Sequence, residues 1–201
     1  MNPDLTRIPP SERAEGIPPA EAASDRAERW QALFREIAQG SMRAVEALYD
    51  EASADLYGLM VWRTGCEEDA QDALQEVFVK LVEKRESLSR VQDPRGWLFT
   101  VAHRAAVDAV RRRKSRRLEP LEEVHYLIPD GQNSGPNPDA LRASSLLATL
   151  PPAQRAAVYL RHFAGCTFRE IGTITGVPTF SAASRYRLGM AKLRILMEVN
   201  P

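Results

Sequence analysis

Between Glu67 and Glu86 the segment EEDAQDALQEVFVKLVEKRE places Ala70, Ala73, Leu74, Val77, Phe78, Leu81 and Val82 three or four residues apart. That spacing gathers the apolar side chains on one stripe of an α-helix, whereas a strand would scatter them over both faces. So wide a stripe has to be covered by other elements. Runs of alternating β-branched residues are scarce in the rest of the chain. The covering elements are therefore predicted to be helices, and the fold class all-α.

Neighbouring segments repeat the pattern. Trp30, Leu33, Phe34 and Ile37 fall at helical spacing up to Gly40. A second helix is predicted from Ser41 to about Thr64, burying Val45, Leu48, Tyr49, Leu56, Leu59 and Met60 and ending at Gly65. After the polar stretch SLSRVQ, Asp93 is suited to cap a fourth helix and Pro94 to open it. This helix would bury Trp97, Leu98, Val101, Ala102, Ala105 and Ala109, leaving Thr100, His103, Arg104, Val107, Arg111 and Lys114 on its other side. Further helices are expected over 140–150 and from Pro151 through Phe163.

Two stretches lack such a pattern. Residues 1–28 combine five prolines with charge and are predicted to be a disordered tail. Residues 118–139 hold four prolines, two glycines and five acids, which reads as an acidic flexible linker between two small helical domains, 29–117 and 140–201.

A formal net charge of zero argues at first against a nucleic-acid partner. The sum conceals blocks. Residues 93–117 carry 8 Lys and Arg against 2 acids, 118–149 carry 1 against 5, and 150–201 carry 7 against 2. Two basic segments thus flank an acidic one, an alternation that also suggests the two halves could fold together, alone or around a partner protein, and mask their basic surfaces. Cys66 and Cys166 stand far apart with no CxxC and no nearby His pair, so no metal, cofactor or disulfide framework is expected. The N-terminus has no apolar core of a signal sequence and the chain no uncharged apolar run of about 18 residues, so a cytoplasmic protein is expected.

Near the C-terminus the grammar is that of a helix-turn-helix. Thr167 and Glu170 form a capping-box pair, Gly176-Val177-Pro178 makes a turn, and a second helix starts near Thr179. In that helix Ala182, Tyr186, Gly189, Leu193 and Leu196 would pack inward. Ser181, Ser184, Arg185 and Arg187 sit in the N-terminal half, the part that enters a major groove. A helical hairpin that binds protein shares the same pattern. The stretch RRRKSRR, with six cations in seven residues, exceeds what one helix end requires and suits phosphate tracking beside Thr100, His103 and Arg104. On periodicity alone the face of Asp69, Asp72, Glu76, Lys80 and Glu83 reads as solvated surface, with an i,i+4 pair between Glu76 and Lys80. With no phosphate-cradling glycine loop, no metal-spaced carboxylates and no nucleophile paired with a base, no enzyme is indicated.

DAQDALQEVFVKLVEK, PRGWLFTVAHRAAVDAVRRRK, LPPAQRAAVYLRHFAGCTFREIG and GVP with the following SRYR and KLR occur in this order. Over about residues 30 to 197 they resemble regions two and four of extracytoplasmic-function sigma factors, members of the sigma-70 family. The resemblance implies that Asp69, Asp72, Gln75 and Glu76 dock on the β′ clamp helices of core RNA polymerase. It implies that Ser87 to Asp93 and the helix after it, with Thr100, His103, Arg104, Arg111, Arg112, Arg113 and Lys114, capture and melt the minus-ten element. The C-terminal half would contact the β flap and read the minus-thirty-five element, with Thr167, Phe168 and Arg169 near phosphate and Ser181, Ser184, Arg185 and Arg187 toward the bases. An anti-sigma factor is a further implied partner, and the nucleoid the implied location within holoenzyme. The chain departs from the family's pattern at Phe180 to Ala183 and at Leu188, where basic or Gly-Thr-Val residues are common. The competing reading is a two-domain helix-turn-helix regulator that never joins polymerase.

Overall fold

The structure is a computed structural model that describes residues 20–116 and 149–199. The predicted linker, the first nineteen residues of the tail and nearly all of the helix expected over 140–150 lie outside them. The described residues form α1 (Ala20–Ala38), α2 (Met42–Thr64), α3 (Glu67–Glu83), α4 (Arg85–Leu88), α5 (Pro94–Arg116), α6 (Pro152–His162), α7 (Phe168–Thr175) and α8 (Thr179–Val199), with no strand among them.

Local chemistry explains most boundaries. Ser41 caps α2 by accepting from the Ala44 N–H, and Gly65 in the left-handed region ends it. Asp93 Oδ1 accepts the Gly96 N–H at 2.9 Å as α5 opens on Pro94. In α7 the capping box is complete: the Glu170 N–H donates to Thr167 Oγ1 at 3.3 Å, and the Thr167 N–H to Glu170 Oε2 at 2.6 Å. Gly176, at φ 70°, makes the left-handed turn into α8 that a side chain would resist.

Three features differ from expectation. The first helix begins at Ala20, inside the stretch assigned to the disordered tail. It is tied to α2 by Arg26 with Asp55 at 3.0 Å, by Arg29 with Glu51, and by Trp30 Nε1 donating to Glu51 at 3.0 Å. These partners come from another helix, so composition gives no sign of them. The helix from Glu67 stops at Glu83, and α4 carries Leu88 into the core from a stretch expected to be polar loop. Tyr49, expected inside, is 46% exposed, with its ring against Phe78 at the edge of the core.

α2 is the central element. α1, α3 and α5 cover it on one side and α6 on another, so the run Leu59, Met60, Val61, Trp62 is buried all round. One apolar core extends from Trp30 and Phe34 through Leu59 and Trp62 to Leu160 and Ile171, joining the two helical units.

Candidate nucleic-acid interface

α3 and α5 lie side by side, which brings the acidic face and the basic helix end together. Arg113 pairs with Asp69 at 2.9 Å and donates to the Thr64 backbone carbonyl at 3.0 Å. Arg112 reaches Glu76 at 3.3 Å, and Glu76 also accepts from Lys80 at 2.7 Å. The Lys80 hydrogen bond first, aided by the charges of Lys80 and Arg112, holds the Glu76 carboxyl below its ordinary range. Asp72 and Gln75 stay exposed beside these pairs, and Val79 continues their face one turn on, 56% exposed. Cys66, Asp69, Asp72, Arg112 and Arg113 line an open cavity of about 260 Å³ between the helices. Two residue sets that the sequence suggested for different partners therefore share one surface. Arg111 is exposed near Asp108 at 3.6 Å, and Arg104 and Lys114 face solvent.

Closer to the start of α5, Thr100 is half-buried and donates to the Gly96 carbonyl at 2.6 Å, so its hydroxyl proton is already used. His103 sits deeper than its place on the polar side of α5 suggested. Burial first, then the charges of Arg63 from α2, Arg185 from α8 and Arg104 from its own helix, push its imidazole down to about 4. Arg63 was not singled out from the sequence. Its guanidinium is likewise lowered by burial and by Arg155, Arg185 and Arg111. The available signal was weak: a single cation in the otherwise uncharged run MVWRT that ends α2.

In the C-terminal unit, the Thr167 side chain is spent on the cap and Phe168 is half-buried under the Arg161 guanidinium and beside Tyr186. Of these three neighbours, Arg169 is an exposed cation. Arg187 is exposed, while Ser181, Ser184 and Arg185 are half-buried. No ion pair joins Arg169, Arg185 or Arg187 to a described residue. Phe180 and Leu188, where the chain departs from the sigma pattern, are 74% and 56% exposed. Among the described residues no cluster of His, Cys, Asp or Glu could hold a metal ion, and no helix is long and apolar enough to cross a membrane.

The Sigma-70 region 2 family matches residues 48–116, the α2 to α5 surface, and the Sigma-70, region 4 family matches residues 140–193, which include the helix-turn-helix. The chain is 31% identical to the ECF RNA polymerase sigma factor SigE of Mycolicibacterium smegmatis over 78% of its own length and 62% of that relative. It is 29% identical to ECF RNA polymerase sigma factor RpoE of Cereibacter sphaeroides over 85% of itself and 96% of that protein. Its fold matches CnrH, solved in complex with the cytosolic domain of CnrY, at a TM-score of 0.62 and 22% identity, covering 86% of this chain and 99% of that one. With matching regions two and four in the same order on one all-α chain, the protein belongs to the sigma-70 family, in its extracytoplasmic-function branch.

Proposed function

We propose that this alternative sigma factor docks on core RNA polymerase through Asp69, Asp72, Gln75 and Glu76 and carries two promoter-reading surfaces to one DNA. α5 serves the minus-ten element and α8 the minus-thirty-five element, the first domain beginning with α1 at Ala20 and the second spanning about 140–201. The observation that carries this reading is the shared α3–α5 surface. Its acids and its cations are paired with one another in a chain that also carries a helix-turn-helix, an arrangement a plain DNA-binding regulator does not need. The protein supplies positioning and no chemistry of its own, since bond formation belongs to the polymerase, and it works in the cytoplasm on the nucleoid. The neighbours solved as CnrH with CnrY and as RpoE with NepR support an anti-sigma factor as a further partner.

Asp72→Arg is the clean test, because Asp72 is exposed and forms no described ion pair. It is expected to abolish capture by core polymerase while leaving helical content and thermal unfolding unchanged. The double change with Glu76→Arg also removes the Lys80 and Arg112 pairs. Undiminished capture of both variants would overturn the docking face and favour the stand-alone regulator.

A further inference from the structure

We propose that α8 selects thymines in the major groove through Phe180 and Leu188, whose exposed side chains contact the 5-methyl groups, in place of arginines that would pair with guanine. This rests on the assignment of α8 to the minus-thirty-five element and names the bases read there.

α8 turns one side to the core and the other away from it. Ala182 and Gly189 are buried, and Tyr186 and Leu193 pack against the core on the same side. Opposite them, at helical spacing, stand Phe180, Ser184, Arg187, Leu188 and Ala191. Phe180 makes no ring contact with a described residue. A single exposed apolar side chain is ordinary, but two large ones sharing the outward face of one helix point to a ligand with apolar surface of its own.

The turn before α8 fixes where Phe180 stands. The Ser181 and Ala182 N–H groups donate to the Pro178 carbonyl at 2.9 and 3.1 Å, and the Val177 N–H donates to the Gly172 carbonyl at 2.9 Å. The turn closes tightly because position 172 is glycine: a Cβ there would lie 2.7 Å from the Val177 carbonyl oxygen. Phe180 and Leu188 are separated by about 12 Å along the helix axis, so a major groove about 12 Å wide takes in both.

Charge selects duplex DNA as the occupant of this face. From Ile171 to Met197 there is no Asp or Glu, while Arg185, Arg187, Lys192 and Arg194 accompany the apolar positions. Most of that stretch lies in the residues matched by the region 4 family, and in a helix-turn-helix the N-terminal half of the second helix enters the groove. The chemistry of the base edges then decides the sequence. Guanine, adenine and cytosine present only hydrogen-bonding groups there, and an apolar side chain laid on them removes water without replacing its bonds. The thymine 5-methyl is the apolar exception. Burial of one such methyl corresponds to a gain of about fourfold in affinity.

Holoenzyme reconstituted with the full chain, used to select binders from duplex DNA randomised across the promoter region, tests this. The enriched upstream element is expected to carry thymine, on either strand, at two or more positions. Replacing one thymine at a time by deoxyuridine removes only the methyl and is expected to weaken binding about fourfold at the positions that Phe180 and Leu188 touch. Phe180→Ala and Leu188→Ala are each expected to abolish that discrimination at one position, with thermal unfolding as in wild type because both side chains are exposed. Arg187→Ala is expected to weaken the thymine and deoxyuridine duplexes by the same factor. Equal binding of every thymine and deoxyuridine pair, or discrimination that survives in both variants, overturns the inference. Loss of capture by core polymerase in either variant makes the face a protein contact and overturns it as well. In each of those cases an enriched upstream sequence leaves the assignment of α8 standing. If no upstream sequence is enriched and Arg187→Ala binds as wild type does, that assignment fails and the inference fails with it.

Discussion

The basic segments of the two helical units, 93–117 and 150–201, carry 8 and 7 Lys and Arg but commit them differently. In the first, Arg112 and Arg113 are neutralised by Glu76 and Asp69 on the neighbouring helix. In the second, Arg169, Arg185 and Arg187 have no ion pair with a described residue. A basic run is therefore no measure of available positive charge. In α5 the cations also fix helix packing, so part of their role is stability, whereas those of α7 and α8 make no ion pair with a described residue. On the proposed reading, the first unit would exchange internal ion pairs for phosphate contacts, and the second would have no described ion pair to give up.

The largest expected contrast is in folding. Arg113→Ala breaks a largely buried pair with Asp69 and a bond to the Thr64 carbonyl. It is expected to cost about 2 to 3 kcal/mol and several degrees of Tm, read by thermal unfolding. Arg187→Ala, at an exposed position, is expected to stay within about 0.5 kcal/mol of wild type. Equal losses would erase the distinction between committed and free cations.

In DNA binding the order reverses. Arg185→Ala is expected to weaken promoter binding by about 1 to 3 kcal/mol and to reduce the salt slope by about 1, measured by titration of holoenzyme at several salt concentrations. Arg112→Ala is expected to change that slope by less, because Arg112 must leave Glu76 before it meets a phosphate. A larger slope change at Arg112 would show that its ion pair is not kept in the complex.

Thr167→Ala removes the capping box of α7 and is expected to cost about 1 kcal/mol, without moving the pH dependence of the first unit. The smallest effect belongs to Glu76. Its carboxyl lies below the ordinary 4.5 because Lys80 and Arg112 favour the charged form. The stability it contributes is present above that value and declines as pH falls below it. Since the group is partly exposed, Glu76→Gln is expected to change unfolding at neutral pH by about 0.5 kcal/mol or less and to flatten the acid limb.

Local signals were read well from the chain. Asp93-Pro94, Thr167 with Glu170, and Gly176 fix helix ends through groups within four residues, and the structure forms each of them. The stripe in α3 likewise became its buried face, from Ala70 to Leu81. The misses have a common cause. α1 extends back to Ala20 through ion pairs with Asp55 and Glu51, Leu88 enters the core from a polar-looking stretch, and Tyr49 stays at the rim. Each depends on which other helix stands opposite, and periodicity within one segment carries no such information.

The same division holds for function. The order of elements, the all-α class, the helix-turn-helix and the acidic and basic faces follow from residues close together in the chain, because helix capping and apolar stripes act over one or two turns. Tertiary structure alone decided that Arg113 answers Asp69, that His103 is sunk among Arg63, Arg104 and Arg185, and that Tyr159 rests on Gly58. Apart from Arg104, which neighbours His103, those relations join residues from 40 to 101 positions apart. Electrostatic and packing energies depend on distance in space, and only the packing of α2 against both units sets those distances.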